Sequence, residues 1–412
     1  DGKAETYSFT LGGTSRFSAS LPMYHHTRVP LISGSTLSYW LGTDKTVTPK
    51  HDAAYLAQTG LVQPYMSSVA RTYPALPSNG GVSSSYTPGE VFQSGTNTIH
   101  PTVMGAAGGS DSIGAQPAWE AIALVDSSAL GFAQMLRESF RFGHYQIHYR
   151  DESTNRPIKF SSRSGVQIRP GDALANVGDI EDQGLTYTPV IAGGKTPTPD
   201  ASPRNYWKTS HQPAAPLLAY ITTGRFWFME ECQHISAVNF LLAGATRGGT
   251  QYLYCTPSIT PTRMQLRQAA WTFRNLAIAA CVTPDDDALK ADFDASVDYN
   301  IEQYHTKYVA QTNNPFGLIE NVGNGTSGGN QAWQFDFWTA SWARAIAFRV
   351  GSTKAKREKA RAFFNWTAQA TVGRAGGFGA TEYPYRWATT STDGASSFVC
   401  PGSNPGSYAS AY

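Results

Sequence analysis

The sequence predicts a mainly α-helical protein with a β-rich beginning, its helices arranged as successive antiparallel hairpins around an axis. Three observations carry that expectation. Apolar residues recur at helical spacing through six segments between Ser210 and Thr371. The six fall into pairs, with short links inside each pair and longer links between pairs, the pattern of helical hairpins. Ahead of them, from Thr6 to about Ile32, TYSFTL and SRFSASLP alternate with the two-residue period of strands. The pair spacing is too irregular for a strict repeat.

The β-rich beginning spans 1–46 and reads as the end of a preceding domain. WLGTDKTVTPKHDAAYLAQTGLV then runs from a loop into a short helix near His51 to Leu61. Between Pro74 and Gly114 the breakers PSNGG, SGTN and GAAGGSDSIG suppress periodicity, so long ordered loops are expected to cross a face. PAWEAIALVDSSALGFAQMLRESFRF gives two helices with a break near Asp126 to Ser128. HYQIHYRDESTNRPIKFSS, near 144–163, alternates at both ends around the polar turn DESTNRP, the mark of a β-hairpin.

A Gly/Pro-rich connection leads to the paired helices. In the first pair Ser210 is the expected N-cap, Pro213 sits in the first turn, and Gly224 stops the helix before a longer one from Arg225 to Ala243. The second pair is Thr262 to Cys281 and Asp286 to about Tyr308, where Pro284 blocks one helix and aspartates cap the next. The third is about Gln331 to Val350 and Thr353 to Thr371. The helical region thus covers 47–371, followed by an irregular segment over 372–412.

Composition narrows the classes of function. With 412 residues, 41% apolar and 12% aromatic, the chain can bury one large core or two ordinary ones without help from metals or disulfides. Thirty-two lysines and arginines against 30 acids leave +2, which gives no electrostatic case for nucleic acid, so charge-based binding must be local. No apolar run is long enough for a membrane span. The low charged content, 15%, with abundant Gly, Ser, Thr, Pro and Tyr, suits an extracellular or surface-associated protein. The start DGKAETYSF has no signal pattern and opens in a strand, which favours processing or truncation. Cys232, Cys255, Cys281 and Cys400 permit up to two disulfides in three pairings, or none.

Arg263 to Ala280 carries two faces. Leu266, Ala269, Phe273, Leu276, Ala277 and Ala280 fill one inward arc, while Arg263, Arg267, Trp271 and Arg274 stack along a neighbouring one. Forked donors beside an indole suit a polyhydroxylated or anionic ligand. The same spacing also suits arginines that bridge to acids of an adjoining helix.

The runs HQPAAPLLAYITTGRFWFMEECQHISAVNFLLAG and RQAAWTFRNLAIAACVTPDDD resemble the helical-hairpin toroids of glycan-active proteins, the group holding six-hairpin glycosidases and several polysaccharide lyases. Within that group the pattern is similar to a set of bacterial and phage-associated proteins, with VTPKHDAAYLA, IHPTVMGAAGGSDSIGAQPAWEA and HYRDESTNRPI sharing it. The resemblance covers about residue 47 to about 300. It implies an (α/α) toroid, closed or incomplete, whose inner helices and crossing loops line a cleft for a saccharide chain. It transfers no catalytic residues.

The residues themselves supply candidates. In HYRD, strand alternation puts His148 and Arg150 on one side and Tyr149 and Asp151 on the other. A lyase acting on a uronic acid needs a base, commonly His or Tyr, and a cation to neutralise the carboxylate. His148, Tyr149, Arg150 and His211 are therefore the catalytic candidates. His100, Arg267, Trp271, Arg274, Glu231 and His234 are candidates for binding the substrate. A hydrolase would need two carboxylates flanking the bond, and Glu120, Asp151, Glu230, Glu231 and Asp285 are available without a distinguishing motif.

Each candidate has a plainer role. Asp151 is a natural turn acceptor, and His211 a cap or packing residue. Glu231-Cys-Gln-His234 and Glu302-Gln-Tyr-His305 match half of a dinuclear metal pattern, but the helix between them has no glutamate, so no metal or other cofactor is expected. Trp338 and Trp342, four apart, form a packed stripe. Asn324-Gly-Thr326 and Asn365-Trp-Thr367 match the glycosylation sequon.

The expected function is cleavage of an acidic polysaccharide by proton abstraction. Glycoside hydrolysis is one alternative. The other is a non-catalytic structural or adhesive protein of a virion or extracellular assembly, with homo-oligomer or assembly contacts through the Gly/Ser/Thr-rich loops.

Overall fold

The computed structural model describes residues 4–22, 28, 39–40, 43–44, 52–62, 114–125, 129–164, 207, 209–243, 250–255, 266–310, 317, 319, 329–372, 386–389 and 396–399. These are mainly helical, with a few short strands. They divide into two compact units, one of 1–157, 183–208 and 213–235, the other of 158–182, 209–212 and 236–412.

The first unit opens with an antiparallel pair, β1 (Ala4–Leu11) and β2 (Thr14–Pro22). The turn between them is Gly12-Gly13, both at positive φ (57° and 76°), a backbone that glycine adopts without steric cost and that matches the twist of a tight hairpin. A two-residue ladder joins β3 (Tyr39–Trp40) to β4 (Thr43–Asp44). α1 (Ala53–Gln58) is capped by Asp52, whose carboxylate accepts the Tyr55 N–H at 3.0 Å.

α2 (Ala118–Val125) and α3 (Ala129–Phe140) are the two expected helices and pack together, and the break expected near Asp126 to Ser128 lies outside the described residues. Glu120 on α2 accepts from Gln116 (3.1 Å) and from the Leu218 N–H (3.0 Å), so a buried carboxylate ties α2 to the start of α4 (Leu217–Thr223). α4 ends at Gly224, at φ 64°, whose N–H returns to the Tyr220 carbonyl (2.7 Å). A 3₁₀ turn over Arg141–His144 follows α3 and leads to the hairpin. The ladder is short, β5 (Arg150–Asp151) against β6 (Arg156–Pro157), with Arg150 opposite Pro157 and Asp151 opposite Arg156. α5 (Phe226–Leu242) belongs to this unit as far as Ile235 and to the other from Ser236.

Two helix starts differ from expectation, that of α4 here and that of the helix expected from Asp286, which begins at Lys290. The helix of the first pair starts at Leu217, not at Ser210, with Pro216 as its first flanking residue. Residues 209–211 form a turn instead, and the Ser210 hydroxyl meets His211 Nδ1 (3.0 Å), not a helix N–H. Proline at both 213 and 216 disfavours helical backbone in the residue before each, which delays nucleation.

In the second unit α6 (Leu266–Val282) packs on α7 (Lys290–Tyr304) and α8 (Ala332–Ala347), and α9 (Lys354–Val372) on α7 and α8. All but Cys281 of α6 is buried, and its alanines leave room for neighbours on every side. The core between the helices is aromatic. Phe273 stacks on Trp342 (4.2 Å), Trp338 lies 5.9 Å from Trp342, and Tyr304 and Phe363 close around them at 4.9 Å from each other. The aspartates before α7 build a turn rather than cap the helix: Asp287 accepts the Leu289 N–H (2.9 Å), and α7 starts without a side-chain cap. A π turn over His305–Val309 continues α7. Two strands lie in the C-terminal segment expected to be irregular. β9 (Ser396–Val399) sits between β7 (Gly329–Gln331) and β8 (Arg386–Thr389) in an antiparallel sheet. Among the described residues no helix is long and apolar enough to cross a membrane.

Candidate functional site

The first half of α5 presents Trp227, Glu230, Glu231 and His234 at spacings of three, one and three residues, which places them along one stripe of the helix. Glu231 and His234 are fully buried, and Glu230 nearly so. Ionised carboxylates at such depth require compensation. It arrives from two other parts of the unit.

Arg28 spans both carboxylates, Nη1 to Glu231 at 2.5 Å and Nη2 to Glu230 at 2.9 Å, with its guanidinium 3.9 Å from the centre of the Trp227 ring. Gly143 makes that reach possible. Its carbonyl accepts the Arg28 N–H (2.8 Å), and a Cβ there would stand 2.5 Å from the Arg28 carbonyl and 3.4 Å from the Trp227 ring. The hairpin brings the rest. His148 Nε2 lies 2.8 and 3.0 Å from the two Glu231 oxygens. Arg150 Nη2 is 3.4 Å from Glu230, and Arg156 is 3.9 Å from Glu230 while donating to Gln233 (3.1 Å).

Three guanidiniums against two carboxylates leave one positive charge. The surplus faces outward: the side chains of Arg150 and Arg156 are 29% and 36% exposed, and Arg156 lies 5.4 Å from the ring of Phe226, itself 53% exposed. Burial alone would raise the Glu231 pKa, but His148, Arg28 and Arg150 together hold it below the ordinary carboxylate value. His234 behaves oppositely. Burial first, then the electrostatic influence of the facing His148 and of the Arg28, Arg150 and Arg156 guanidiniums, pushes it well below its usual value, so it is neutral. Its ring meets that of His148 edge-on at 4.9 Å, and neither of its nitrogens has a hydrogen-bond partner among the described residues.

Of the sequence-predicted residues, His148, Arg150, Glu231 and His234 therefore come together. Tyr149, between two of them, is half-buried, and its N–H donates to Ile147 (2.9 Å). Asp151 takes the turn role, accepting from the Ser153 N–H at 2.9 Å and hydroxyl at 2.5 Å. His100 and Arg263 lie outside the described residues.

The remaining candidates belong to the second unit, in a different setting. Arg267, Trp271 and Arg274 are buried. Trp271 packs on Phe337 (4.5 Å), and Arg274 stacks over Trp271 (4.4 Å) while donating to the Gln212 carbonyl (2.8 Å). The stripe on α6 thus faces packing partners. His211 is buried beside Gln212, the hub of a neutral network: its oxygen accepts from Asn239 (2.8 Å) and Asn275 (2.6 Å), and its amide donates to Thr209 (2.9 Å) and Thr272 (3.2 Å). Glu302, of the second Glu-x-x-His match, holds Lys356 and Lys359 at 2.7 Å each. Among the described residues no group of three or more His, Cys, Asp or Glu has a metal-binding arrangement.

Arg28 and Arg156 are absent from the sequence-level candidates. Arg156 had a usable signal, because a four-residue turn after Asp151 sets it across the hairpin, on the strand that returns beside Arg150. Arg28 had none, since 203 residues separate it from Glu231. No family model, curated protein or solved structure matches the chain.

Proposed function

We propose that the protein is a lyase for an acidic polysaccharide, its helical hairpins belonging to an (α/α) toroid, with the site at the Arg28, His148 and Glu231 cluster. The observation that carries this reading is a buried imidazole–carboxylate pair beneath an outward edge of guanidiniums. Abstraction of the proton beside a uronate carboxylate needs a base and a cation for the charge that develops on that carboxylate. Glu230 meets Arg150 and Arg156 at 3.4 and 3.9 Å, beyond the about 2.7–2.9 Å of a strong charge-assisted bond. Neither guanidinium is gripped bidentately by Glu230, although Arg150 also donates to the Asn155 carbonyl (2.7 Å) and Arg156 to Gln233 (3.1 Å), and a planar carboxylate from solvent would compete with the long contacts to Glu230. Phe226 beside Arg156 offers a flat face to a sugar ring.

His148 is the base. In the tautomer whose Nε2–H donates to Glu231, Nδ1 would take the proton, and the carboxylate would stabilise the imidazolium as it forms. The ring takes the C–H proton, the bond to the leaving oxygen breaks, solvent protonates that oxygen, and an unsaturated uronate remains. Tyr149 is the second candidate base in the same segment. His234, held neutral, spares the imidazolium a cationic neighbour. Hydrolysis is less well supported, because it needs one carboxyl protonated as an acid. Glu231 is held ionised, and Glu230 is surrounded by three guanidiniums.

The test incubates the protein with alginate, polygalacturonate, hyaluronan and heparin, and with neutral glycans, following the ultraviolet band of an unsaturated uronate together with reducing ends. A rise in both on an acidic glycan, abolished by His148→Ala, supports the lyase. Reducing ends without the band would point to hydrolysis, and silence throughout to a binding or structural protein of an extracellular or surface assembly.

A further inference from the structure

We propose that the exposed edge of α9, in the second unit, is a separate non-catalytic binding strip for an acidic polysaccharide. Lys354, Arg357, Arg361, Asn365 and Gln369 recur at spacings of three, four, four and four and are all exposed, so they form one line along the helix. At 1.5 Å of rise per residue the line is about 22 Å long. Its single carboxylate, Glu358, lies 3.8 Å from Lys354.

The charge is placed where helix electrostatics disfavour it. The first turn of α9 has no acidic residue, yet Lys354, Lys356 and Arg357 stand at the helix end whose unpaired N–H groups are already positive. Glu302 offsets the inward pair, accepting from both Lys356 and Lys359. Of the outward cations Lys354 has the 3.8 Å approach of Glu358, and Asp298 accepts the Ser352 N–H (3.0 Å) just before the helix, so the less compensated charges are those of Arg357 and Arg361. Arg357 gives one N–H to the Gly351 carbonyl (2.7 Å), which fixes its fork, and Arg361 has no ion-pair or hydrogen-bond partner among the described residues. A partner that supplies anions would relieve this repulsion.

The strip also states what kind of anion it fits. Its first half is cationic and its second half is amide, so a polymer that carries hydroxyls as well as carboxylates matches both halves. A nucleic acid fits less well: the line has no aromatic ring for base stacking, and the chain as a whole carries only +2. That the occupant is a glycan rests on the reading of the first unit, whereas the presence of an anion-binding edge does not.

The experiment measures affinity electrophoresis of the full chain in gels holding alginate, polygalacturonate, hyaluronan or heparin, beside single-stranded DNA. Three proteins are compared: the parent, Arg357→Gln/Arg361→Gln, and Arg150→Gln/Arg156→Gln. The strip variant is expected to lose roughly threefold to tenfold in affinity for a retained glycan and to show a shallower salt dependence. Its thermal midpoint should be close to the parent's, the loss of the Arg357 bond to Gly351 being opposed by the removal of two cations from one helix edge. Retardation lost in the strip variant but kept in Arg150→Gln/Arg156→Gln upholds the strip while removing the first-unit reading. Equal retardation of parent and strip variant on every glycan would overturn the strip, whatever the other variant does. Tighter retention by DNA than by any glycan, lost in the strip variant, would overturn the assigned ligand class.

Discussion

Glu231 and Gln212 are both sealed from solvent, and their neighbours satisfy them in opposite ways. Gln212 uses both amide hydrogens and both lone pairs on neutral partners, two amides, a carbonyl and a hydroxyl. Every polar atom of that side chain is used, while the Arg274 guanidinium donates to the Gln212 carbonyl (2.8 Å) and to Asn275 (3.4 Å). Glu231 is held by Arg28 and His148, in a group where cations outnumber carboxylates and an adjacent imidazole has no hydrogen-bond partner among the described residues. Equal burial therefore does not mean equal role. A fully satisfied amide fixes a fold, whereas an unbalanced ionic cluster keeps capacity for a charge or a proton from outside.

The strongest way to break this contrast is Glu231→Ala. Removing Glu231 leaves His148 without its carboxylate and Arg28 with Glu230 alone, at a cost of about 3–5 kcal/mol, read from denaturant midpoints. A loss below about 1 kcal/mol would mean that the cluster is not integral to its unit. Gln212→Leu should follow, at about 2–4 kcal/mol, because the Asn239 and Asn275 amides lose their shared acceptor. The contrast sharpens in activity: folded Gln212→Leu should keep the turnover that His148→Ala abolishes.

Gly143→Ala should cost less, about 1–3 kcal/mol, since the added methyl must displace the Arg28 carbonyl. Its diagnostic consequence is weaker retention of acidic glycan with little change in the secondary structure seen by circular dichroism. Retention equal to the parent's would show that Arg28 keeps its two carboxylates without the close approach at Gly143.

The smallest effect is on pH dependence. The folded-state pKa of His234 lies below its usual 6.5, so between 6.5 and that lower value the unfolded chain binds the extra proton and stability falls as pH falls. Glu231 is also lowered, so its contribution is present above the usual 4.5 and is lost as pH drops through its folded value. Acid destabilisation should thus begin near pH 6.5, with a slope of up to about 1.4 kcal/mol per pH unit from His234. His305 in the second unit is lowered as well, mainly by burial, and adds to the slope. His234→Leu should flatten the slope by its own share. An unchanged profile would place the sensitivity elsewhere, while the Gln212 hub, having no ionisable side chain, contributes none.

Much of the local structure was readable in the chain. The helices α2 and α3, the stop at Gly224 and the Trp338–Trp342 stripe follow from apolar period and glycine placement, which act within a few residues. The start of α4 was not: a cap-like Ser210 was outweighed by two prolines, and its hydroxyl went to the neighbouring imidazole. The α6 stripe has a spacing that binding and packing share, and only its burial separates the two.

The sequence by itself determined which short stretches could carry chemistry, because side-chain type and helical phase are local properties: Glu231 with His234 on one face of α5, and His148 with Arg150 in one hairpin arm. Only the tertiary structure decided that these two stretches meet, and that Arg28 joins them across 203 residues through a contact that glycine alone permits at position 143. The reason is physical. Coulombic attraction between side chains depends on distance in space and on the depth at which the pair is desolvated, and neither quantity is written in the spacing of residues along the chain.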